Sequence, residues 1–237
     1  MESISPEVCG ENELEQIEPS EVAFQLLADW WMNSVQALVD SVGSAKALDL
    51  LRPHFRNAAV AGALIVNETF CLNQIDLATH SACLKMMYVF ATRGKADIQV
   101  EVRELGCVFH NNKCIFKDSP PELCELSCDT VPNAIIGSYD SGYEWILMSR
   151  MSQGASECRK VLKPKSWFGA IDLERLGTVK AEVLTRKIPL NILDDFSIQY
   201  LAEFWVMTTR GFIDNFGSQP SLILMEIYSS STLFIRL

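Results

Sequence analysis

The chain is poor in positive charge: 20 lysines and arginines face 30 aspartates and glutamates, a formal net charge of -10 over 237 residues. No basic cluster stands clear of the acids, which excludes a phosphate-backbone partner, so no nucleic acid is expected. Long apolar runs are missing too. The longest, such as Ala58 to Val66, fall well short of the ~20 residues that cross a bilayer, so no membrane partner is expected. Met1 to Ser20 has neither a basic n-region nor an apolar h-region, which argues against a secretory signal or a mitochondrial transit peptide. It reads as an acidic disordered tail, and the protein as soluble and cytoplasmic. Paired CxxC spacings are absent, so this is not a zinc ribbon. Histidine is scarce, three in all, and His54 and His80 read as ordinary helix-surface or satisfied side chains.

What the chain does have is a hydrophobic content of 49% and eight cysteines. Without a secretion signal those cysteines read as reduced thiols, metal ligands or core residues in preference to a disulfide framework. From Glu21 to Val42, Phe24, Leu27, Trp31, Val35, Leu38 and Val42 recur at intervals of three and four, the signature of a helix, and Gly43-Ser44 stops it. A second helix, about Ala45 to Leu51, runs into Pro53, which ends or bends it. Glu68 to Thr92, free of proline and glycine, predicts a long helix. Arg93-Gly94-Lys95 is a turn. The pattern then alternates, Ile98, Val100 and Val102 against Gln99, Glu101 and Arg103, so a strand is predicted that closes at Cys107. A hairpin follows, Glu144 to Met151 turning through Ser152–Ser156 into Glu157–Leu162. Asp172 to Thr185 predicts one more helix. The fold class is α+β, with a helical N-terminal half packed on a small antiparallel sheet.

The chain also repeats itself. Leu27 to Ser44 matches Leu201 to Ser218 without a gap, at the constant offset that separates Trp31 from Trp205. Trp31/Trp205, Asp40/Asp214, Gly43/Gly217 and Ser44/Ser218 are identical, and Leu48/Leu222 and Leu50/Leu224 continue the match. Shared periodicity explains leucines in register, but not the Trp, the Asp and the Gly-Ser stop, so this is an internal duplication. The organisation expected is a tail over 1–19, an α+β domain over 20–165, a connecting helix over 166–192 and a truncated second copy over 193–237. An amphipathic second copy must bury its apolar face on the first domain or in a homodimer.

Four cysteines fall in one stretch. Cys124 and Cys128, four apart on a short helix opening at Ser119-Pro120-Pro121-Glu122, point to one side. Ser119 is the expected N-cap and Glu122 its capping-box partner. With Cys107 and Cys158 they make a candidate set of soft ligands that suits Zn2+. If all four bind, the site is closed and structural. If three bind, the fourth position holds a water whose pKa falls toward ~7, a nucleophile for an amidine or imine carbon. His110 and Glu122 are the nearest candidates for proton transfer. The alternatives are a metal-free reactive thiol and inert packing, since free cysteine is commonly buried. Cys71 and Cys83 read as core, and Cys9 and Cys114 as incidental. Trp30, Trp31 and Trp205 read as core, or, near a pocket, as rings that could hold a flat ligand.

Val100–Cys107, Pro121–Cys128 and Met148–Arg159, with Gln153-Gly154 and Cys158, resemble the L-2-amino-thiazoline-4-carboxylic acid hydrolase-like family over most of the first copy. More distantly the hairpin and Arg159–Pro164 look like the end of vinyl-reductase-type small-molecule-binding domains, which often hold zinc. The resemblance implies a metabolic enzyme acting on a heterocyclic or otherwise activated small substrate, by hydrolysis, cyclisation or isomerisation. The rival class is a non-catalytic small-molecule-binding module with a structural cysteine or zinc cluster. Zinc is the cofactor expected, and no nucleotide cofactor.

Overall fold

A computed structural model describes residues 18–70, 76–95, 98–114, 116–139, 142–167, 171–177, 181–182 and 190–218. In chain order the elements are α1 (Pro19–Val42), α2 (Ser44–Phe70), α3 (Leu77–Ala91), β1 (Ile98–Val102), β2 (Cys107–Asn111) and α4 (Pro121–Cys124). A π-helical stretch, Glu125–Thr130, then leads into α5 (Val131–Ser138), followed by β3 (Tyr143–Ser149), β4 (Cys158–Pro164), β5 (Ala181–Glu182) and α6 (Leu190–Phe216). The fold is α+β. An antiparallel sheet of order β3-β4-β2-β1-β5 carries the helices on one face, and the C-terminal helix packs on the N-terminal ones.

α1 buries Phe24, Ala28, Trp31, Val35 and Leu38, the stripe its spacing predicts. It ends at Gly43, whose φ of 82° suits glycine and whose N–H reaches Val39 O at 2.8 Å. α2 does not end at Pro53. It runs through to Phe70 because Ala47, Leu51, Phe55, Ala59 and Ala63, every fourth residue, bury one continuous face. Burying Leu51 and Phe55 at about 1.5–3 kcal/mol each offsets the ~3 kcal/mol that an interior proline costs. The single helix expected from Glu68 to Thr92 is instead divided. α3 opens at Leu77, where the Asp76 carboxylate caps the helix by accepting the Thr79 N–H at 2.7 Å. Cys71 and Cys9 lie outside the described residues.

The strand expected to close at Cys107 is two strands. The chain reverses over Arg103–Gly106, Arg103 N–H bonding Gly106 O at 2.8 Å, so Cys107 opens β2. Only glycine fits at 106, since a Cβ there would stand 2.3 Å from Leu162 O. The β3–β4 hairpin forms as expected, with Gly154 at φ 90° in its turn. The helix expected over Asp172 to Thr185 does not form in the described residues of that span, 172–177 and 181–182; residues 178–180 and 183–185 lie outside them. The chain makes one 3-10 turn, Glu174–Leu176, reverses at Gly177 (φ 85°) and adds β5 to the sheet edge. Leu176 is drawn under the sheet, into a second small core with Val108, Val161 and Trp167, and its carbonyl accepts the Leu105 N–H at 3.1 Å. Burial on the far face of the sheet thus overrides the local helical pattern.

α6 lies beside α1 in the main core, where the rings of Trp31, Phe55 and Phe204 meet at 4.9–5.9 Å. The sequence repeat has a structural counterpart. The offset equates Trp30 with Phe204 and Trp31 with Trp205, and the contacts are Trp30–Trp205 at 5.8 Å and Trp31–Phe204 at 4.9 Å. Each is the other with the copies exchanged, the reciprocal pattern of a two-fold interface. Ser20 and Asp194, also equivalent, both bond Arg93, at 2.8 and 2.5 Å, so the two helices start side by side and run parallel. Both stop at a glycine of positive φ, Gly43 at 82° and Gly217 at 79°. The buried face of α6 therefore packs on its own chain. Residues 219–237, the remainder of the second copy, lie outside the described residues.

Candidate functional site

The helical stretch from Pro121 to Ser138 is irregular because Pro132 sits within it. A proline has no N–H, so the carbonyl four residues back, Cys128 O, lacks its helical donor. The turn widens instead, with Val131 N–H reaching Leu126 O, five residues back. Two side chains take up the freed carbonyl: Trp145 Nε1 donates at 2.8 Å and Tyr88 Oη at 3.4 Å. This ties the π stretch to β3 and α3. The Ser119–Glu122 capping box is not made. Pro120 occupies the cap position, and the Ser119 hydroxyl turns to Met32 Sδ at 3.0 Å.

Three of the four expected cysteines gather where the π stretch meets the β3–β4 turn. Cys124 Sγ donates to Ser152 Oγ at 3.1 Å, and the adjacent Met151 N–H donates to Cys158 Sγ at 3.2 Å. Cys128 Sγ accepts from Ser127 Oγ at 3.6 Å. The fourth member is Cys114, whose thiol lies beside the Cys158 sulfur. Cys107 stands apart. In the β2–β4 register it lies opposite Leu162, while Asn111 lies opposite Cys158. Four residues at ~3.3 Å each put it ~13 Å from the cluster. It contacts Ser81 Oγ at 2.7 Å, and burial pushes its thiol up to about 11.

Lys160 shares a strand face with Cys158, is 1% exposed and holds Nζ 4.0 Å from the Tyr88 ring centroid. No carboxylate of the described residues forms a salt bridge with it. A buried ammonium needs an anion, and Cys158 is the group beside it that can supply one. The Cys114 thiol beside it does most to pull the Cys158 thiol below its ordinary range, with the Met151 N–H and the Lys160 and Arg150 charges adding to it against burial. Its neighbours move the other way. Cys114 rises through its closeness to Cys158 and through burial, and burial, with Cys128, pushes Cys124 up to about 11. Cys158 is thus drawn toward the thiolate while Cys114 and Cys124 are drawn away from it. Among the described residues no three His, Cys, Asp or Glu side chains are gathered in a metal-ligating arrangement.

The two proton-transfer candidates are not at this cluster. His110 alternates with Phe109 and Asn111 and so points to the other sheet face, with Nδ1 3.4 Å from Glu157 and Nε2 3.7 Å from Glu101. Glu122 is buried, two residues from Cys124 and hence ~200° around the helix, and forms no salt bridge with a described residue. His80 is core, not surface. It is 2% exposed and stacked on Tyr139 at 4.8 Å, and burial lowers its pKa and keeps it neutral. His54 lies 3.2 Å from Asp214.

A cavity of about 140 Å3 lies between α2, α3 and α6. Gly62, Met87, Phe90, Phe196, Tyr200 and Phe204 wall it, and Gln199 and Glu203 stand exposed at its mouth. Gly62 leaves the floor low, and Phe196, Tyr200 and Phe204, four apart, present one aromatic face of α6 to the cavity. That spacing is visible in the sequence and is the signal that points to the cavity. Tyr200 and Met87 also line a gap of about 10 Å3 that reaches Tyr88 and Ser127, so the cavity and the thiol cluster are neighbours.

No protein-family model, no curated protein and no solved structure matches the chain.

Proposed function

We propose that the protein is a small-molecule-binding module whose ligand occupies the aromatic cavity between α2, α3 and α6. The cavity carries this reading. Apolar pockets with a few polar groups at the mouth are the usual ligand sites of small domains. A volume of about 140 Å3 matches the cavities of ~150 Å3 that hold a single benzene ring. The ligand is a one-ring, largely apolar compound, and a basic substituent on it would meet Glu203. The thiol cluster braces the adjoining layer, since Cys124 and Cys128 belong to the same helical stretch as Ser127 and Val131 behind Tyr200. This accords with the small-molecule chemistry that the family resemblance implies.

The test is titration of benzene and benzylamine into the full chain, followed by melting temperature. Ligand at ~100 times its dissociation constant stabilises by ~2.7 kcal/mol, a shift of several degrees. Gly62→Leu fills the cavity and removes an interior helix glycine, so it should abolish the shift while keeping the fold. Failure of both rings to bind, or undiminished binding by Gly62→Leu, refutes the assignment.

The second reading is an enzyme of small-molecule metabolism, and the pairing of Cys158 with Lys160 favours it. A thiol whose pKa is lowered yields a thiolate more readily, and a thiolate is a nucleophile for an activated carbon. Turnover of a ring-containing amidine, lost in Cys158→Ser with binding retained, would select the enzyme over the silent module.

A further inference from the structure

The π stretch has a second face. While Cys124 and Cys128 turn toward the sheet, Glu125 and Asp129 turn toward α2 and line a polar pocket of about 430 Å3 with Arg52, Arg56, Thr130 and Asn133. It is distinct from the aromatic cavity, with which it shares no lining residue.

The charges in it are unevenly matched. Glu125 is fully engaged, accepting from Arg52 at 3.1 Å and from Arg150 at 3.1 Å, and Arg52 also stands 3.6 Å from Asp49. Arg56 forms no salt bridge with any described residue and is exposed. Thr130 is 6% exposed, yet its hydroxyl makes no hydrogen bond with a described residue, and it lines the pocket. Asn133 Nδ2 donates to Asp129 Oδ1 and to the Asp129 carbonyl, both at 3.0 Å. Asp129 is the remaining acid. Burial, then the neighbouring Glu125 carboxylate, raise its pKa against the opposing charges of Arg150 and Arg52, while Glu125 is held low by its two arginines. The pKa values of two carboxyl groups on one helical turn are thus driven apart, Glu125 down and Asp129 up.

We propose that this pocket is a binding site for a small monocarboxylate, held by the Arg56 guanidinium and the Thr130 hydroxyl. The Arg56 guanidinium presents the planar fork that matches a carboxylate. Thr130 supplies a hydroxyl donor beside it. With Asp129 ionised the pocket repels the anion. With Asp129 neutral that repulsion is gone, and Arg56, which has no salt-bridge partner among the described residues, meets the charge of the ligand. Binding therefore strengthens as pH falls, by up to about tenfold per pH unit above the Asp129 midpoint.

Acetate titrated into the full chain at about pH 5 and about pH 8, followed by NMR shifts of the Thr130 and Asn133 amides, tests this directly. Wild type should bind at the lower pH and lose affinity at the higher. Arg56→Met removes an exposed, unpaired side chain, should leave the melting temperature unchanged and should abolish binding at both. Asp129→Asn mimics the protonated acid in shape and should bind acetate equally at both pH values. The proposal is overturned if wild type fails to bind acetate at the lower pH, if inorganic phosphate binds where acetate does not, if Arg56→Met binds like wild type, or if Asp129→Asn keeps the pH dependence. Gly62→Leu should leave acetate binding untouched, so a failed aromatic cavity and a failed anion pocket are told apart.

Discussion

Replacing Trp145 with Phe tests the cause assigned to the π stretch. Trp145 is 3% exposed, and its Nε1 donates at 2.8 Å to Cys128 O, the carbonyl that Pro132 leaves without a helical partner. Phenylalanine keeps most of the ring, which stands edge-on to Phe109 at 4.9 Å, but removes the donor. What remains at the carbonyl is the longer bond from Tyr88 at 3.4 Å. An under-satisfied buried carbonyl costs ~1–3 kcal/mol, and the smaller ring adds ~1 kcal/mol of lost packing, so a destabilisation of about 2–4 kcal/mol is expected. Urea unfolding followed by far-UV circular dichroism measures it. The decisive comparison is the same substitution in a Pro132→Ala background, where residue 132 again offers an N–H four residues beyond Cys128. There the loss should shrink by ~1–2 kcal/mol, the coupling expected of groups that share one acceptor. A coupling indistinguishable from zero would mean that Pro132 is not the reason the carbonyl is open, and the account of the π stretch would fall.

Three further outcomes follow from the same geometry. Lys160→Met should raise the midpoint of the thiolate absorbance near 240 nm by roughly one pH unit, and Cys158→Ser should remove that transition; an unmoved midpoint would separate Lys160 from the anionic sulfur. Gly106→Ala forces a Cβ against Leu162 O and Leu176 Cδ2, so a loss of at least ~1–3 kcal/mol is expected in chemical denaturation, and a neutral result would contradict the close approach of the β1–β2 turn to β4. Arg93→Ala cuts the joint between the starts of α1 and α6 and should cost ~2–3 kcal/mol near neutral pH. Its bond to Arg93, above all, holds the Asp194 carboxyl below its ordinary value, so that contribution is present above the ordinary aspartate pKa and is lost as pH falls through the lower folded value. The gap between wild type and Arg93→Ala should therefore narrow in acid, and a gap that widens there would refute the pairing.

The helical entry was legible because burial and periodicity agree in it. Phe24, Trp31, Val35 and Leu38 repeat at the helical interval and are the residues that reach the core. The β3–β4 hairpin was legible from alternation and its Gly154 turn, and the repeat from Trp, Asp and Gly-Ser standing in register. Three of the four thiols in the cluster were legible too, Cys124 and Cys128 because they sit four apart in one helical stretch and Cys158 because it opens the second strand of the hairpin. The fourth turned on one reversal. With Cys107 taken as the end of a strand it belongs near the turn, but Gly106 folds the chain back and sends it to the far end of β2, bringing the loop cysteine Cys114 to the cluster instead. His110 was misplaced for a related reason, since strand parity puts it on the opposite face from the sulfurs. Pro132 was in plain view, and what it does depends on Trp145 and Tyr88 arriving from elsewhere in the chain.

By itself, then, the sequence determined the class of fold, the helix that begins it and the copy that closes it, because those depend on patterns within one element and its own caps. Only the tertiary structure decided which cysteines meet, which carboxyl is held between two arginines and where a cavity opens. Those outcomes rest on strand register, on the face a residue takes and on charges brought together from distant segments, and no local pattern encodes the distance between two segments that touch only after folding.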